Sequence, residues 1–78
     1  MVLVRVQFFD GIYEVTRVCM YLGHGMYRIF DIYPDGEEVP VTYFGSLFVD
    51  ASTAIILMEQ TCNMNESDVK AIAAYREV

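Results

Sequence analysis

Val2, Val4, Val6 and Phe8 fall on one face of an extended segment while Arg5 and Gln7 fall on the other, the period-two alternation of a half-buried strand. Asp10-Gly11 then predicts a two-residue hairpin turn into a second strand over residues 12–22. That run carries apolar groups on both faces, with Val18, Met20 and Leu22 on one and Val15, Cys19 and Tyr21 on the other. Gly23-His24-Gly25 turns the chain again, and residues 26–33 make a third strand. Its faces hold Met26, Phe30 and Ile32 against Tyr27, Ile29 and Tyr33, with Arg28 and Asp31 interrupting opposite sides. Pro34-Asp35-Gly36 is the plainest tight-turn signal in the chain, because proline presets φ and glycine accepts a positive φ. It leads into a fourth strand over 39–44, where Pro40 argues for an edge. Connections this short join neighbouring strands, so the four form an antiparallel meander.

The period changes after Gly45-Ser46. Leu47, Phe48, Ala51, Ala54, Ile55, Met58 and Cys62 recur at three-to-four spacing, a helix over 47–62 capped by Ser46 or Asp50. Val49, Ile56 and Leu57 fit that stripe badly. The unbroken run at 53–58 also allows a fifth strand entered through a turn at 50–53. Asn65 caps a second helix, with Glu66 and Asp68 in its first turn and Val69, Ile72, Ala73 and Tyr75 on one stripe ending near Arg76. A helix of about twelve residues is marginal alone in water and must dock on the rest. The expected fold is α+β: a four-stranded antiparallel β-meander followed by two short C-terminal helices, in one domain over 1–78. The alternative has five strands and one C-terminal helix.

Composition changes the picture at one point. A chain of 78 residues buries only about 60% of its unfolded surface, yet 55% of these residues are hydrophobic and 14% aromatic. The excess implies an apolar face covered by a second copy or by a target, and predicts a homodimer through the sheet. The net charge of −6 and the scattering of Arg5, Arg17, Arg28, Lys70 and Arg76 argue against direct contact with nucleic acid. The acids cluster only at Asp35, Glu37 and Glu38. The start of the chain has an arginine inside its apolar run and no small-residue cleavage site, unlike a secretory leader. No apolar stretch reaches the length of a membrane span, so a cytoplasmic location is expected. Cys19 and Cys62 are too few for a disulfide scaffold and read as buried thiols, with one bridge between them still open.

Candidate chemistry is sparse. His24 is the only histidine, and its pairing with Cys19 as base and nucleophile would place the base in a mobile turn between glycines. The segment DIYPDGEEVPVT lacks the oxygen ligands of a calcium loop where Tyr33 and Thr42 stand. Glu14 with any other acid could serve as a general acid-base pair, but eleven acids in 78 residues make such coincidences cheap, and the glycines sit singly rather than in a phosphate-binding pattern. No catalytic residue, cofactor or metal is therefore expected. The sequence points to a non-enzymatic protein-binding module: a small acidic inhibitor or adaptor covering a basic, nucleic-acid-binding surface of a larger protein, as phage-encoded anti-defence proteins do. Asp35, Glu37, Glu38, Tyr27 and Tyr33 are its expected contacts. The alternative is a homo-oligomeric subunit with an interface pocket for a small molecule.

Overall fold

The computed structural model of the chain describes residues 1–75. Strands β1 (Val2–Phe9), β2 (Glu14–Gly23), β3 (Met26–Ile32) and β4 (Glu38–Val41) form one antiparallel sheet in sequence order. Helices α1 (Ala51–Glu59) and α2 (Glu66–Ala73) follow. The four-stranded meander with two C-terminal helices is thus the observed fold, and the run at 53–58 is helical rather than a fifth strand. Arg76, where the second helix was expected to end, lies outside the described residues.

Each turn has its own chemistry. The first is longer than the expected two residues, because Phe9 pairs with Glu14 and leaves 10–13 as the loop. The Asp10 carboxylate accepts hydrogen bonds from the Ile12 and Tyr13 N–H groups at 2.8 and 2.7 Å. It thereby closes a loop that Asp-Gly alone would have made tighter. Those bonds, Tyr13's first, hold the Asp10 carboxyl below its ordinary pKa. Between β2 and β3, His24 (φ 55°) and Gly25 (φ 73°) both take positive φ, the conformation of a two-residue hairpin turn matched to strand twist. Between β3 and β4, Tyr33 N–H bonds to the Glu37 carbonyl at 2.9 Å and Gly36 N–H to the Tyr33 carbonyl at 2.8 Å. Pro40 pairs with Phe30 on the edge strand, as its missing N–H requires. That strand stops at Val41 rather than 44, since mutual backbone bonds between Tyr43 and Ser46, both 3.0 Å, reverse the chain there.

The helices cover one face of the sheet. Asp50, not Ser46, caps α1 by accepting from Thr53 N–H at 2.9 Å. Ala51, Ala54, Leu57 and Met58 turn inward, so Leu57 belongs to the buried stripe while Ile56 faces out. Leu47 and Phe48, expected within the helix, precede it and are exposed. Val49 fits no helical stripe because it is bridged to Tyr27 by two backbone hydrogen bonds of 2.8 and 3.0 Å. Asn65 and Asp68 close a capping box on α2, whose Ile72 is fully buried. The core joins Val4, Val6, Cys19, Tyr27 and Ile29 of the sheet to Ala54, Leu57, Met58 and Ile72 of the helices. The other face, through the rows Arg5, Val18, Phe30 and Met20, Arg28, is covered by neither of the two helices. Among the described residues no helix is long and apolar enough to cross a membrane.

Candidate binding surface at one end of the sheet

The helix layer ends against a largely buried ion pair. Register places Arg17 of β2 opposite Asp31 of β3. The guanidinium grips the carboxylate with two bonds, Nε to Oδ1 at 2.8 Å and Nη2 to Oδ2 at 3.0 Å. Nη1 donates to the Leu57 carbonyl at 2.9 Å, satisfying one of the carbonyls left open at the end of α1. The same guanidinium lies 5.1 Å from the Phe8 ring centroid. Read from the sequence alone, Arg17 was one scattered cation and Asp31 a break in a strand face.

Beyond this pair the same face of the sheet is open. In a meander the first and third turns lie at one end, which brings the residues of 10–13 beside those of 33–37. Tyr13 and Tyr33 meet there with ring centroids 6.1 Å apart and planes at 83°. They and Pro34, Asp35, Glu37 and Val39 line a cavity of about 400 Å³. Asp35 is held in place by accepting from Glu37 N–H at 2.9 Å, and both acids are exposed.

The expected contact residues separate accordingly. Tyr33, Asp35 and Glu37 come together at the cavity. Glu38 is next to them in sequence, but alternation along β4 turns it to the opposite face from Val39, which lines the cavity. Tyr27 is a correction: it is fully buried, and its hydroxyl donates to the Ile72 carbonyl at 2.9 Å. Its side chain offers no surface to a partner, because the helix-covered face of β3 points it into the core. Tyr13 went unnoticed in the sequence, although the turn arithmetic of a meander carries the signal that it and Tyr33 share one end.

The other candidate chemistries stay apart. Cys19 is fully buried in mid-strand, paired with Val4 and Ile29, whereas His24 sits in the turn after β2. Burial pushes the Cys19 thiol up to about 12, so near neutral pH it keeps its proton and is no nucleophile. Both cysteines are free, and Cys62, expected to be buried, is exposed. Among the described residues no group of three or more His, Cys, Asp or Glu side chains is placed to hold a metal ion.

No family model, no curated protein and no solved structure matches this chain.

Proposed function

We propose that the protein is a non-enzymatic binding module, of the inhibitor or adaptor kind, that docks on a basic surface of a larger protein. The supporting observation is the cavity in which Tyr13 and Tyr33 stand beside the exposed carboxylates of Asp35 and Glu37. Aromatic rings supply contact area at low entropic cost, and a one-signed rim steers a basic partner into place. Surfaces that bind nucleic acid are basic, so blocking one is the natural use of such an end. The test needs a partner recovered from source lysate and a triple variant with Asp35, Glu37 and Glu38 changed to Ser. Association measured at low salt should slow by roughly tenfold or more and lose most of its salt dependence, with the fold intact. An unchanged association rate would remove the acidic end from the mechanism.

Self-association is a second reading, favoured by the face of the sheet away from the helices. Phe9, Leu22 and Met26 are exposed there. In its midst the Arg28 Nε is buried with no hydrogen-bond partner among the described residues. An unmet buried donor is costly, and a second sheet packed face to face would both cover the apolar groups and bring acceptors to Arg28. Light scattering at tens of micromolar should then give twice the 8.9 kDa chain mass, and Met26→Glu should return it to the monomer value. A monomeric wild-type protein at that concentration excludes this reading and leaves the acidic end as the docking surface.

A further inference from the structure

We infer that the cavity between Tyr13 and Tyr33 receives a single arginine side chain of the partner, an inference that rests on the docking of this end proposed above. Three observations converge on that occupant. The first is size: at about 400 Å³ the cavity is near the small end of ligand pockets, suited to one side chain rather than an extended cofactor.

The second is charge. Asp35 and Glu37 line the cavity, and neither forms an ion pair among the described residues. Arg17, on the same face of the sheet, does not neutralise them, since its charge is paired with Asp31 and it is further held by the Leu57 carbonyl and the Gln60 side chain. Among the described residues the lining contains no lysine or arginine. A cation entering the cavity therefore meets unneutralised carboxylates.

The third is shape. Two rings at 83° bound the cavity with aromatic surface in two directions. A cation is drawn to the negative face of such a ring. A guanidinium can lie flat on one tyrosine while its N–H groups reach the carboxylates, and it is more weakly hydrated than an ammonium. Lysine can satisfy the charge but not the flat contact, so arginine is selected over it.

The experiment titrates the full chain with acetyl-Gly-Arg-Gly-amide and with its lysine counterpart, following backbone amide and tyrosine ring resonances at physiological salt. With the arginine peptide, shifts should saturate and centre on Tyr13, Tyr33, Gly36 and Glu37, and the lysine peptide should bind several-fold more weakly. Tyr33→Leu should weaken arginine binding roughly two- to fivefold, the worth of one exposed cation–π contact. Glu37→Gln, at an exposed position with no fold-bearing side-chain contact, should weaken it by a similar factor and guards against a misfolded tyrosine variant. Equal binding of both peptides, or shifts spread over the acidic surface that vanish with salt, would overturn the inference. Should the peptides show no cavity preference while the triple acidic variant still slows association with the partner, the docking end stands and only its occupant is wrong. Failure of both tests removes the docking reading itself.

Discussion

Replacing Asp31 with alanine is expected to destabilise the fold by about 3 kcal/mol or more, the usual cost of removing one partner from a buried ion pair. In a domain of this size that lowers the thermal midpoint by roughly 12–24 °C. Asp31 is 7% exposed, and its carboxylate takes two short bonds from Arg17. Without it the guanidinium, whose side chain is 12% exposed, stays tied to the Leu57 carbonyl and cannot swing out to water without releasing the end of α1. The loss measures an orphaned charge, not the net worth of the pair. The double variant Arg17→Met, Asp31→Leu should therefore recover much of it, since apolar residues of similar volume often replace a buried pair at little cost. Urea denaturation of the wild type and the two variants checks this. A loss below about 1 kcal/mol for Asp31→Ala would mean that water reaches the pair and it behaves as a surface bridge.

The pairing of Arg17 with Asp31 also shows where sequence reasoning ran out. The strands themselves were legible, because alternation in β1 and the glycine-bearing turns mark each reversal. Register was not. Counting back from the turn, where Gly23 pairs with Met26, would set Arg17 opposite Ile32. An irregularity between Tyr21 and Gly23 shifts the pairing by one residue and sets Arg17 opposite Asp31 instead. Nothing in the local sequence announces that bulge, yet a one-residue slip moves a whole strand's side chains to the other face. The first helix was legible as a period but not in its start, since Val49 is held by backbone bonds to β3 that no helical pattern encodes.

The candidate site was half legible for a related reason. Asp35, Glu37 and Tyr33 surround a turn that proline and glycine make obvious, and the structure keeps them together. Tyr13 comes from the other turn at the same end, 20 positions away by number, and only the meander brings it there. Tyr27 misled because tyrosine carries both a large apolar ring and a hydroxyl, suiting a surface or a core with an acceptor nearby. The acceptor here is the carbonyl of Ile72, 45 residues along the chain.

That acceptor makes Tyr27 the second position where a large effect is expected. Tyr27→Ala should cost about 3–5 kcal/mol, as for other large aromatic truncations in a core, enough to unfold much of a domain this small. The more informative change is Tyr27→Phe, which keeps the ring and its contact with Tyr21, whose centroid is 5.0 Å away, and removes only the hydroxyl. It takes the 2.9 Å donor from the Ile72 carbonyl, which keeps the longer 3.4 Å bond from Tyr75 N–H, at a cost of about 0.5–1.5 kcal/mol for one hydrogen bond. Helix α2 has eight residues and cannot persist undocked. Its one fully buried side chain is that of Ile72, so the lost bond acts at the point where the helix is anchored. Amide hydrogen exchange should accordingly quicken across Glu66–Ala73 while β2 and β3 keep their protection. If α2 exchanges at the wild-type rate in Tyr27→Phe, apolar contact alone docks the helix and the hydroxyl is incidental. A uniform rise across sheet and helices would instead mean that α2 does not open independently of the sheet and that the bond supports the fold as a whole.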